Sequence, residues 1–367
     1  MRDKWPGVLG LVLLVGCGAP TPVEPAPMLQ PAELEPEHPA EASPSNPGQA
    51  RLRAPWNRPL VIGHRGSPGI VPDHTLKGYR TAVEQGADLI EPDLVSTRDG
   101  VLIARHENNL ADTTDVATRF PNRKTTKTID GHAITGFFTE DFTLQELQTL
   151  RAVQPMASRP HALDGTLPLA TFDEILALRA SLEAEVGRPI GVYPEAKHPT
   201  YFAGLDLPLA PKIRAALDAH ALLGPEAPVI LQSFETHTFD DFADTGVSRI
   251  LLVGGPEERP ANTPDGPTYA ELLSDLPALA ASVDGIGVHK SAVWDASGPT
   301  GLVEKAHAAG LFVHVYTFRS EPDRLGPAAD GDPQREVERF LALGVDGVFA
   351  DYPDVAFAAR ERVVPLE

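Results

Sequence analysis

Cysteine is almost missing from this chain of 367 residues: Cys17 stands alone, which rules out a disulfide within the chain. Stability must then come from a packed core or from bound metal. Cations are scarce as well. Against 51 acidic residues there are 31 Lys and Arg, a formal net charge of -20, so a nucleic-acid backbone finds no extended basic surface. Nucleic acid is excluded as a partner on that ground, and any phosphate chemistry must rest on a few local cations or on a metal. The apolar run at 8–15 is too short to span a bilayer. With 42% hydrophobic residues the chain can still bury a sizeable core, as one large α/β barrel or two ordinary domains.

Arg2 and Lys4 precede the short apolar run and Gly16 and Cys17 follow it, the order of a secretory signal. Residues 14–17, Leu-Val-Gly-Cys, resemble the lipobox of bacterial lipoproteins, which implies cleavage before Cys17 and lipid on that residue. An ordinary signal with an incidental cysteine is the plainer alternative. Residues 19–48 hold nine prolines, five glutamates and no Lys or Arg, a composition that does not bury enough surface to fold. The expected organisation is therefore a lipoprotein signal at 1–17, an extended tether at 18–55, and a folded domain at 56–367.

That domain opens on LVIGHRG at 60–66, an apolar strand that delivers His64 and Arg65 at its carboxyl end, where α/β sheets and barrels bind ligands. Asp73 is placed to cap a helix over 74–85, with Gly86 to end it. In the next strand, 89–94, Glu91 and Asp93 are two apart and so share a face. Two adjacent carboxylates on a covered strand call for a cation between them. The Asp99-Gly100 pair predicts a hairpin that folds 101–106 back and brings His106 opposite or nearly opposite Asp93. Residues 107–165 read as a polar, irregular insertion with one helical piece near 144–150. Strands at 190–195, 229–234, 249–253, 285–289, 311–317 and 347–351 complete a set of eight alternating with helices. The fold class is α/β, a TIM-type β/α barrel of eight parallel strands with a hairpin strand and an insertion after the second.

Glu195 ends the third strand with Lys197 on the same face, so three carboxylates meet at one rim and suit a hard cation such as calcium or magnesium. Arg65 and Lys197 leave positive potential for an anionic oxygen substrate such as a phosphodiester. His64 and His106 titrate near neutrality and can serve as general acid and base. His289 and His314 lie in strands and either line the pocket or are structural; His38, His132, His161, His198, His220, His237 and His307 read as loop or helix-surface residues.

Together HRG at His64, EPD at 91–93, DGVLIARHE ending just past His106, YPEAK around Glu195, LQSF at 231–234 and GVFADYP at 347–353 resemble the glycerophosphodiester phosphodiesterase family, in its periplasmic bacterial branch. The resemblance implies hydrolysis of glycerophosphodiesters to sn-glycerol 3-phosphate and an alcohol. It makes His64 and His106 the acid-base pair, Glu91, Asp93 and Glu195 the ligands of one divalent cation, and Arg65 a phosphate ligand, with Lys197, on the family's lysine after the third metal ligand, taken as a second. Calcium is expected over magnesium because an extracytoplasmic compartment supplies it and three carboxylates suit it. Asp73, Phe234, His289 and Tyr316 would line the pocket. With the lipid anchor at Cys17, the enzyme would sit outside the cytoplasm, on the outer membrane facing the periplasm or on the cell surface. A phospholipase acting on intact lipid and a non-catalytic phosphodiester-binding barrel are the competing readings.

Overall fold

The computed structural model describes residues 56–365. The signal expected at 1–17, with Cys17, and the tether expected at 18–55 lie outside the described residues.

Strand β1 (Leu60–His64) shows how the barrel divides its apolar residues. Leu60 and Ile62 join Leu89, Tyr193, Ile230, Ile250 and other side chains of an inner cluster, whereas Val61 belongs to the larger cluster shared with the helices. A strand's period of two thus fills the barrel and docks the helix layer at once. The second strand is split into β2 (Leu89–Glu91) and β3 (Asp93–Ser96), because Pro92 between them has no N–H for the ladder. Strand β4 (Leu102–Ala104) runs antiparallel to β3, as the Asp-Gly turn requires.

The insertion contributes a hairpin of β5 (Thr125–Ile129) and β6 (His132–Gly136). Next come β7 (Gly191–Val192) and β8 (Glu195–Ala196), two halves of one interrupted strand, then β9 (Ile230–Ser233), β10 (Ser248–Val253) and β11 (Gly285–His289). A two-residue ribbon, β12 (Trp294–Asp295) with β13 (Gly298–Pro299), precedes β14 (Phe312–Phe318) and β15 (Gly347–Ala350). Counting β2 with β3 and β7 with β8, eight parallel strands follow one another in sequence order, and β15 pairs with β1 to close the ring. This is the β/α barrel expected from the alternation of strands and helices.

Two local expectations are overturned. Asp73 does not cap the first helix, which spans Leu76–Glu84; Thr75 is its N-cap and accepts from Gly78 N at 3.1 Å. His74 takes a left-handed backbone, φ 56°, which keeps the segment out of the helix and turns Asp73 inward. The insertion is not irregular either. Phe137, Phe138, Phe142, Leu147 and Leu150 are buried in it, it holds a further short helix at Val116–Arg119, and the helix expected near 144–150 is Leu144–Leu147, opened by a Thr143–Glu146 capping box.

Candidate active site

Strand register assembles the site. His64 on β1 pairs with Glu91 on β2, Asp93 on β3 with Glu195 on β8, and Glu195 with Gln232 on β9. One ligand atom from each of Glu91, Asp93 and Glu195 lies within 4.8 Å of the others, and all three residues are buried. Their surroundings hold them there. Gln232 Nε2 donates to Glu91 Oε1 at 2.9 Å and the Arg65 backbone N–H to Glu91 Oε2 at 2.7 Å. Lys197 Nζ stands 2.8 Å from Glu195 Oε1 and 3.5 Å from Asp93 Oδ1. Asp93 Oδ2 is bonded to His74 Nε2 at 2.9 Å, and His74 Nδ1 to the Tyr79 hydroxyl at 2.8 Å.

Burial, reinforced by mutual repulsion, pushes the Glu91 carboxyl up, and Glu195 follows for the same reason despite Lys197. Asp93 is also buried, but Lys197 and His74 outweigh that and keep it ionised. Asp93 Oδ1 and Gln232 Oε1 are buried acceptors with no hydrogen-bond partner. Three convergent carboxylates, one with an oxygen that meets only the Lys197 charge, together with the partnerless Gln232 Oε1, are the donor set of a hard divalent cation, so these residues fit one.

His64 is fixed from behind. Its Nδ1 lies 2.5 Å from Asp351 Oδ1, and Arg65 Nε donates to its Nε2 at 3.2 Å. Burial, then the Arg65 charge, lowers its pKa to about 4, so at neutral pH it carries one proton, on Nδ1 toward Asp351, and its Nε2 lone pair accepts from Arg65. Asp351 is buried, yet His64, Arg159 and Arg319 hold its carboxyl well below the usual range. Arg159 comes from the insertion and bonds both Asp351 and Glu321, and Arg319 Nε reaches Asp351 Oδ2 at 3.0 Å.

His106 sits one residue past Arg105, whose N–H donates to Asp93 O at 2.8 Å, so the hairpin delivers it as expected. Its Nδ1 is 3.0 Å from Glu107 Oε1. Burial first, then Arg65 and Lys197, lowers its pKa to about 3. Glu107 Oε2 in turn meets His198 Nε2 at 3.0 Å, and His198 Nδ1 meets Asp130 Oδ2 at 2.5 Å in the β5–β6 turn. The two carboxylates outweigh burial and raise His198 to about 9, an imidazolium between them. His198 is therefore no surface histidine; its left-handed backbone, φ 48°, points it into this bridge.

A cavity of about 590 Å³ is lined by His64, Arg65, Glu91, Asp93, His106, Glu195 and Lys197, and by Phe234, His289 and Tyr316. Asp73 does not line it. Its Oδ2 lies 3.5 Å from Arg65 Nη1, behind the cavity wall. His314 is buried in the barrel interior, 2.8 Å from the Tyr193 hydroxyl, and is structural. Sequence reasoning missed His74, Asp351, Arg159 and the buried Arg105, whose guanidinium ties the backbone carbonyls of Asp73 and His74 to the hairpin.

A family model for the glycerophosphoryl diester phosphodiesterase family matches residues 64–355. The chain belongs to this family. It is thus an enzyme, a phosphoric diester hydrolase. Among relatives in the family, the glycerophosphodiester phosphodiesterase GDPD6 of Arabidopsis thaliana is 36% identical over 334 residues, 84% of this chain and 88% of its own length. The Treponema pallidum glycerophosphodiester phosphodiesterase is 35% identical over 330 residues, 81% of this chain and 90% of its own. Solved structures share the fold: that of the Agrobacterium tumefaciens enzyme superposes with TM-score 0.53 at 19% identity, covering 81% of this chain and 98% of its own. An Oleispira antarctica phosphodiesterase in complex with its product, sn-glycerol-3-phosphate, superposes with TM-score 0.55 at 20% identity, covering 82% and 96%.

Proposed function

We propose that this enzyme hydrolyses glycerophosphodiesters to sn-glycerol 3-phosphate and an alcohol by two-histidine acid-base catalysis at a divalent-cation site. The observation that carries the reading is the convergence of Glu91, Asp93 and Glu195 within 4.8 Å on the cavity that His64 and His106 also line. Arg65 and Lys197 bind the non-bridging phosphoryl oxygens. His64 Nε2 takes the proton of the glycerol 2-hydroxyl as that oxygen attacks phosphorus, and His106 gives a proton to the departing alcohol oxygen. In the second half the two reverse roles: water, deprotonated by His106, opens the cyclic phosphate, and His64 returns its proton to the glycerol oxygen. The anionic diester offsets the Arg65 and Lys197 charges that depress His106, and Glu107 stabilises its protonated form. A cation held by Glu91, Asp93 and Glu195 would polarise the phosphoryl oxygen, and we take it to be calcium because three carboxylates and an extracytoplasmic setting suit it.

We further propose, from the sequence at 14–17, that Cys17 is lipidated and that the domain works on the cell envelope, as in the periplasmic bacterial branch of the family. The test is release of sn-glycerol 3-phosphate from a panel of glycerophosphodiesters by the full chain, with and without chelator, alongside His64→Ala and His106→Ala. Metal-dependent release that drops about a hundredfold or more in each variant is expected. No release from any diester by the folded, calcium-loaded protein overturns the reading.

A further inference from the structure

A second cavity, of about 760 Å³, adjoins the first at the same rim, lined from the ends of β9, β10, β11 and β14 and from the helix Tyr269–Ser274. The two share Phe234, His289, Ser291 and Tyr316 as common walls. Phe234 is the hinge between them: Lys197 Nζ stands 5.8 Å from its ring centre, while Tyr269 and Tyr316 approach that ring edge-on with centroids at 6.4 and 6.5 Å. Both tyrosine hydroxyls are occupied by backbone. Tyr269 donates to Phe234 O at 2.9 Å and Tyr316 to Val253 O at 2.5 Å, so what remains for a ligand is ring surface.

The two cavities differ in charged lining. The first carries Arg65, Lys197, Lys290, Arg319 and Arg324 against the carboxylates of Glu91, Asp93, Glu195, Asp323 and Glu336; the residues lining the second include no Lys or Arg and a single carboxylate, Glu258. Glu258 is exposed, and its Oε2 accepts from Gly255 N at 2.8 Å, which fixes the carboxylate at the cavity's rim. Gly254 lets it meet the aromatic wall, since a Cβ there would fall 2.7 Å from Glu258 Oε2 and 2.9 Å from Tyr269 Cε2. An anion beside ring surfaces, next to a site built for phosphate, is complementary to a ligand that is anionic at one end and cationic at the other.

We infer that the second cavity is the leaving-group subsite, and that Phe234, Tyr269, Tyr316 and Glu258 select a diester whose alcohol carries a quaternary ammonium. The inference rests on the hydrolase reading above. A phosphate held by Lys197 lies against Phe234, so a short ethyl linker carries the ammonium past that ring. The negative faces of aromatic rings attract an N-methylated cation that sheds little water on entry, and Glu258 supplies the full countercharge. A neutral alcohol of similar size gains neither.

The experiment measures kcat/KM of the full chain for glycerophosphocholine and glycerophosphoglycerol, in the native protein and in Glu258→Gln. It adds, as inhibitors of glycerophosphoglycerol hydrolysis, choline and its neutral tert-butyl isostere, in which carbon replaces nitrogen. Choline is expected to inhibit about tenfold more strongly than the isostere, and Glu258→Gln to lower the preference for the choline diester about tenfold. Equal inhibition by the two alcohols, or a preference unchanged in Glu258→Gln, overturns the subsite. If neither diester is hydrolysed the hydrolase reading fails instead; calorimetric titration of choline into the native protein and Glu258→Gln then decides the subsite, and equal or absent heat in both overturns it.

Discussion

His64 can serve as a base because its Nδ1 proton is engaged by Asp351, which leaves Nε2 as the lone pair facing the cavity. Asp351→Asn exchanges that acceptor for an amide that also donates, so the ring loses the tautomer that the chemistry needs. The expected result is a fall of about a hundredfold or more in kcat, with a lowered thermal midpoint because Arg159 and Arg319 lose their countercharge, measured by steady-state kinetics and calorimetry. The acid limb of kcat/KM locates the same residue. Burial and Arg65 lower His64 to about 4, so the base stays deprotonated as pH falls through 6.5 and activity declines only near 4. Arg65→Gln removes the second of these causes and should move that limb upward, with KM rising because a phosphate ligand is lost. Nothing near Asp351 in the sequence announces this partnership: the two residues are 287 positions apart, and GVFADYP reads as a strand end and a family motif without a role for its Asp. His74 is hidden in a similar way, since directly before a helix it looks like a first-turn residue, and its left-handed backbone alone turns it onto Asp93.

Among the elements, the barrel strands are legible because their apolar runs and intervening helices repeat one pattern eight times. Hairpin β5–β6 carries the same Asp-Gly turn as the hairpin at 99–100, yet its flanks are Thr, Lys and His with mostly exposed side chains, so no alternation marks it as a strand pair. What it does becomes visible only through Asp130, which reaches His198 and, beyond it, Glu107 and His106. His198 is raised to about 9, so its ion pairs are complete below its ordinary value of 6.5 and are lost as pH climbs through 9. Hydrogen exchange at 125–136 should therefore speed up between those two values. His198→Ala should raise it about tenfold at pH 7 and abolish the further dependence on pH; exchange in that variant identical to native would show that the turn is held by something else.

At the scale of the whole molecule, the three rim carboxylates stand on two neighbouring strands of the ring, β2–β3 and β7–β8, which one cation would tie together. Without that ion, burial and repulsion penalise Glu91 and Glu195, so a metal-free protein is held below its attainable stability. Calcium at about a hundred times its Kd should stabilise the fold by about 3 kcal/mol, read as a rise in thermal midpoint. Glu195→Gln should melt higher than the native protein in chelator while losing most of the calcium-induced rise. A midpoint indifferent to calcium in the native protein would place the ion elsewhere. The carboxylate cluster itself is legible from spacing alone, two carboxylates a strand period apart and a third ending the next strand; the arginines and histidines around it needed the fold.

The barrel closes where β15 pairs with β1, and Asp351 follows directly on β15. His64 is among the first folded residues to leave the ribosome, and the carboxylate that orients it is among the last. Arg159, made midway, has no Asp351 to hold until that moment. A partly synthesised chain thus carries both histidines and all three rim carboxylates, but His64 Nδ1 meets its acceptor only once the last barrel strand is in place.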